Sequence, residues 1–197
     1  MDYQTARNQL LLGDISNAQW LKDNGYFLEY AYSLVLSANA YEALPVLDSL
    51  SASCIRADWL RILVPVLTNA EIEESPSFMQ VRNFLEIDLT LLLKMKDTNY
   101  ASNLINHGSY FFDVCKESYK FIGRALYYKG LREAALKCFL FAKDKFYQDA
   151  ELHYLLSKFY LEEGSLVESQ KAIKTCLRFI PDYKPALKIL AQTEGAN

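Results

Sequence analysis

In the C-terminal part of the chain, large apolar residues recur every three or four positions in runs that break at glycines. Tyr119, Ile122 and Leu126 fall on one face of a predicted helix, and Gly130 ends that run. Ala135, Phe139 and Ala142 then form a matching stripe on a second helix. Shifted by 34 residues, the pattern returns, with 116–149 lying over 150–183. Tyr119 falls on His153, Ile122 on Leu156, Gly123 on Ser157, Gly130 on Gly164, Ala135 on Ser169, Phe139 on Ile173 and Ala142 on Cys176. Small positions coincide with small ones, and large apolar positions mostly with large ones. Each unit therefore reads as two helices joined at a glycine that supplies the left-handed residue closing the first. Gly123 and Ala135 let the two helices approach, and Phe139 fills the space beyond them. One such hairpin cannot bury its own apolar face, so neighbouring hairpins must stack.

The phase extends in both directions. A degenerate unit is expected at 82–115, with Leu85, Leu92, Ala101 and Ile105 in the repeating slots and Lys96 in place of the turn glycine. After 183, Leu187, Leu190 and Ala191 continue the first-helix pattern in a half-unit, 184–197, suited to a solvating cap helix. Further back, Ala31, Leu34, Ala38, Ala43, Leu47 and Leu50 outline a unit near 24–57, and Gly13 with Ala18 a shorter hairpin near 3–22. Residues 58–81 break the phase, with a loop at 69–77 in which Ser75 is the expected N-cap and Pro76 the first helical residue. The N-terminal part, 1–81, is thus helical but irregular, and 82–197 carries the repeats.

The 34-residue length and the series Tyr119, Ile122-Gly123, Leu126, Gly130, Ala135, Phe139, Ala142, with Pro181 after the next second helix, resemble the tetratricopeptide (TPR) repeat. Tyr147 stands where that family usually has proline, and Ser169 and Cys176 where it has alanine. The resemblance implies an all-α fold, a right-handed superhelix of antiparallel helix hairpins whose first helices line a concave groove. It also implies a non-enzymatic scaffold or adaptor that holds a protein or peptide in that groove.

On the first helices, the residues that the packing stripe leaves free toward such a groove are Glu86, Thr90, Leu93, Leu161 and Glu162 together with the candidate binding set Lys94, Lys120, Arg124, Tyr127, Tyr128, Tyr154, Lys158 and Lys188. Cations beside tyrosines suit a segment bearing carboxylates, since Arg and Tyr combine contact area with a directed polar group. Some TPR proteins clamp a C-terminal carboxylate with a set pattern of Lys, Asn and Arg. Lys120 matches one such lysine, but Arg124 stands where the asparagine belongs, so that particular activity is not implied.

Composition narrows the alternatives. Of 197 residues, 51% are apolar, and 7 glycines and 5 prolines are too few for a fold of β-hairpins. Residues 1–81 hold 4 basic and 10 acidic side chains, and 82–197 hold 17 and 14, well short of a nucleic-acid-binding footprint. This asymmetry leaves open a pairing of copies through the acidic N-terminal half. The four cysteines are widely spaced, and no signal-peptide pattern or membrane-length apolar run occurs, so a reducing cytoplasm is expected. His107 and His153 are the only histidines. Without a third ligand or a nucleophile motif they point to no metal, cofactor or catalytic centre. Glu73-Glu74 and Glu162-Glu163 read as solvated charge, and Trp20 and Trp59 as packing residues. The other readings left standing are a small TPR-type chaperone for a secreted or aggregation-prone client, and an accessory subunit of an enzyme complex.

Overall fold

A computed structural model describes residues 1–51, 54–93 and 99–195, and all regular structure among them is helical. None of the described helices is long and apolar enough to cross a membrane. The helices sort into two units, Met1–Cys115 and Lys116–Asn197.

The first unit begins with α1 (Tyr3–Leu11), α2 (Ala18–Asp23) and α3 (Phe27–Leu36), followed by a 3₁₀ turn at Ala40–Glu42, α4 (Ala43–Asp48) and α5 (Ile55–Thr68). Helix α6 (Phe78–Asn83) runs through a π turn at Phe84–Asp88 into α7 (Leu89–Leu92), and α8 (Asn99–Asn106) and α9 (Gly108–Val114) complete the unit. Residues 82–115, grouped with the repeats in the sequence pattern, here pack onto the N-terminal helices through α5 against α8, α6 against α9 and α3 against α7. Trp59, Phe84 and Phe111 meet at ring separations of 5.2, 5.6 and 6.2 Å and form the aromatic centre of this unit. Trp20 is half-buried and stacks on Tyr26.

Two local expectations are corrected here. The N-cap of α6 is Ser77, not Ser75, because Ser77 and Gln80 form a reciprocal capping box that Ser75 has no partner to match. The Ser77 hydroxyl accepts from the Gln80 N–H at 3.3 Å, and the Ser77 N–H donates to Gln80 Oε1 at 2.7 Å. Pro76 consequently precedes the cap and is buried instead of opening the helix. Ala38 is not part of the packing stripe. It is exposed, with φ +66°, and closes α3 in the left-handed conformation while Asn39 N–H reaches back to Leu34 O at 2.9 Å. Lys96 lies outside the described residues.

The second unit consists of two long hairpins and a final helix. Helices α10 (Ser118–Tyr128) and α11 (Arg132–Lys145) join at Gly130, α12 (Ala150–Glu162) and α13 (Leu166–Phe179) join at Gly164, and α14 (Lys184–Glu194) packs on α12 and α13. Gly130 and Gly164 have φ of +84° and +73°, and the N–H of the next residue bonds back to Leu126 O and Tyr160 O respectively. Gly123 lies directly against α11. A Cβ built there would meet the Phe139 ring at 2.8 Å and Cys138 Cβ at 2.9 Å. In the second hairpin the same crossing is made by Ser157 and Ser169, both fully buried. Each hydroxyl donates to the other residue's carbonyl oxygen at 2.9 Å, so the polar groups that replace Gly and Ala satisfy one another.

Candidate functional site

The second unit carries an open groove of about 450 Å³ between α12 and α14. Tyr154, Lys158 and Leu161 line it from α12; Lys184, Lys188 and Ile189 line it from α14. Ala150 of α12 and Ala186 and Ile189 of α14 pack with Ile173 and Cys176 of α13 in one buried cluster, and the groove beside it is lined by one lysine of α12 and two of α14. Tyr154 is steadied by an edge-on contact with Tyr183, with 5.4 Å between ring centroids.

Charge in the groove is unevenly committed. Glu162 at its rim accepts from the Tyr127 hydroxyl and from Arg132 Nη1 at 3.1 Å. Burial pushes the Glu162 carboxyl up, but those two donors outweigh it and hold the group below its ordinary range. Its negative charge is therefore satisfied from within the chain. Lys158 makes no ion pair among the described residues; its ammonium lies over the Tyr127 and Tyr128 rings at 5.3 and 5.5 Å. Lys184 and Lys188 make none among the described residues either, and both are exposed. Three ammonium groups thus meet one carboxylate that is already paired.

The sequence-derived residues separate into two groups. Tyr154, Lys158 and Lys188 line the groove directly, and Tyr127 and Tyr128 lie beneath Lys158. Tyr127 is buried, whereas Tyr128 is 69% exposed. Lys120 and Arg124, two and one turns earlier on α10, are engaged elsewhere. Lys120 is only 5% exposed, and its ammonium contacts Glu117 and Asp149 at 2.8 Å and Glu151 at 3.0 Å. Burial opposes its charge, but bonds to Asp149, Glu117 and Glu151 outweigh that and hold it above its ordinary pKa. Asp149 uses its other oxygen to cap α12 through the Leu152 N–H at 3.0 Å. Lys120 is therefore a tie between hairpins. Arg124 stacks on Phe121 at 4.7 Å and pairs with Glu151 at 3.1 Å. Lys94 lies outside the described residues.

Lys184 was not among the sequence-derived residues, although a signal for it was present: it stands four residues before Lys188, on the same face of α14. Arg132 was also absent from that set, because it belongs to a second helix and reaches the rim only through Glu162 and Glu163.

Comparison with known proteins finds no matching family model, no matching curated protein and no matching solved structure.

Proposed function

We propose that the chain is a cytoplasmic protein-binding adaptor of the tetratricopeptide type, with α10, α12 and α14 as the inner helices of a right-handed stack of hairpins and α14 as its cap. The observation that carries this reading is the groove between α12 and α14. Its lining combines the apolar Leu161 and Ile189 with the cations Lys158, Lys184 and Lys188 and with Tyr154 as an aromatic anchor. An extended or helical segment that alternates apolar and acidic side chains meets both requirements: burial against the apolar residues and pairing with the cations. The repeat offset and the left-handed Gly130 and Gly164 support the repeat-family half of the proposal.

A peptide array probed with the full chain tests it. Bound spots are expected to be enriched in Asp and Glu flanking Leu, Ile or Phe, and a Lys158→Glu/Lys184→Glu/Lys188→Glu variant is expected to lose them. Enrichment that ignores acidic residues, or binding retained by the triple variant, would overturn the assignment of the groove.

A further inference from the structure

The N-terminal unit contains a separate cavity of about 250 Å³ against α1 and α3. Leu10, Leu28 and Leu91 give it an apolar floor, and Arg7, Glu29 and Arg56 stand on its wall. This volume is just under the roughly 300 Å³ at which pockets for drug-sized ligands begin, so its occupant is small.

The three charges are not equivalent. The charge of Arg56 is already answered, because its guanidinium lies 3.3 Å from Asp88 Oδ1 and stacks on the Tyr32 ring at 4.6 Å. Its Nε donates to the Tyr32 hydroxyl at 3.2 Å, and that hydroxyl donates to Asp88 Oδ2 at 3.2 Å. Asp88 is buried at the π turn, so the Arg56–Asp88 pair forms a neutral, braced wall. Glu29 accepts one hydrogen bond, from the Tyr3 hydroxyl at 2.7 Å, and also favours the charge of Arg56, but makes no ion pair among the described residues. Arg7 likewise makes no ion pair among them. Both charges nevertheless act on the same Tyr3 hydroxyl: the Glu29 bond and burial push its pKa up, and Arg7 pulls it down. A cation, Arg7, and an anion, Glu29, thus line one largely apolar cavity together with the Tyr3 hydroxyl, with no ion pair between them.

We infer that this cavity is a binding site for a free apolar α-amino acid of the leucine type. Its carboxylate pairs with Arg7, its ammonium with Glu29, and its side chain lies on Leu10, Leu28 and Leu91. A simple carboxylate would face Glu29 and a simple amine would face Arg7, each with one repulsive neighbour. A zwitterion satisfies both and leaves the cavity neutral. The inference is independent of the adaptor reading, since every residue it uses belongs to the first unit.

Isothermal titration of the full chain with L-leucine, 4-methylpentanoate and isopentylamine tests it, because the latter two are leucine without its ammonium and without its carboxylate. Leucine is expected to bind saturably, with each analogue weaker by about tenfold or more, as for loss of one charged hydrogen-bonding pair. Arg7→Gln is expected to bring leucine down to isopentylamine, and Glu29→Gln to bring it down to 4-methylpentanoate. Both positions are half-exposed, so helical content should not change. Leucine binding no tighter than either analogue, absence of saturable binding, or an Arg7→Gln protein that keeps the full preference would each overturn the inference.

Discussion

Gly123 packs directly against Phe139 in the first C-terminal hairpin, and a single added methyl group has nowhere to go there. Its Cβ would sit under 3.0 Å from both the Phe139 ring and Cys138 Cβ, and Phe139 is fully buried. Gly123→Ala is therefore expected to destabilise by about 1–3 kcal/mol through overpacking. Phe139→Ala should cost about 3–5 kcal/mol through the cavity it leaves. Chemical denaturation measures both, and a neutral result at either position would contradict the helix crossing. Cysteines give a second check at this scale. Burial raises the pKa of Cys138 to about 12 and of Cys176 to about 11, whereas Cys54 is exposed at the start of α5. At neutral pH a maleimide should label Cys54 in the folded protein and reach Cys138 and Cys176 only after unfolding. Early labelling of Cys138 would mean that the α10–α11 contact opens readily.

Helix ends account for much of what could be read before the structure was known. Gly130 and Gly164 signal their turns because glycine adopts positive φ without penalty. The same closure at Ala38 is silent in the sequence, since alanine is ordinarily a helix former and reads as part of an apolar stripe. An L-residue in that conformation carries a strain of about 1–2 kcal/mol, so Ala38→Gly is expected to stabilise the protein by about 1 kcal/mol after glycine's larger chain entropy is subtracted. A lower melting temperature for Ala38→Gly would contradict the assigned turn. The α11–α12 junction shows a different compensation. Tyr147 stands where the resemblance expects proline, and its carbonyl oxygen accepts from His153 Nε2–H at 2.7 Å while its ring meets the imidazole edge-on at 4.8 Å. Burial lowers the His153 pKa below its ordinary value of 6.5, outweighing the Tyr147 carbonyl, which favours the charged form. The neutral ring's contribution to stability is thus complete above about pH 6.5 and is lost as the pH falls through the lower folded-state value. A proton NMR titration should place the His153 midpoint below 6.5; a midpoint above it would contradict the buried neutral ring.

Over the whole chain, the division after Cys115 sharpens the charge asymmetry already visible in the sequence. Residues 1–115 carry 7 basic and 14 acidic side chains, and 116–197 carry 14 and 10. The regular 34-residue spacing made the two C-terminal hairpins legible, down to the residues at their crossings. The N-terminal unit was legible only as helices. Its π turn at Phe84–Asp88 places the buried Asp88 against Arg56, 32 positions away, a contact that no local spacing encodes. For the candidate groove, Tyr154, Lys158 and Lys188 followed from helix phase alone. Helix phase could not tell a free lysine from a buried one, because the partners of Lys120 come from another hairpin and from the preceding turn.

That difference between lysines supplies the most direct test of the account. An acidic, apolar peptide selected on the array would be titrated into wild type, Lys184→Gln/Lys188→Gln and Lys120→Gln proteins, with thermal unfolding of each measured alongside. The groove variant is expected to keep its melting temperature and to lose about tenfold or more in affinity, with less dependence on salt. Lys120→Gln should melt lower, because it removes the ammonium that pairs with the largely covered Asp149 carboxylate, yet bind the peptide as wild type does at temperatures where it is folded. Affinity lost at Lys120 but untouched at Lys184 and Lys188 would contradict the groove between α12 and α14 as the binding site.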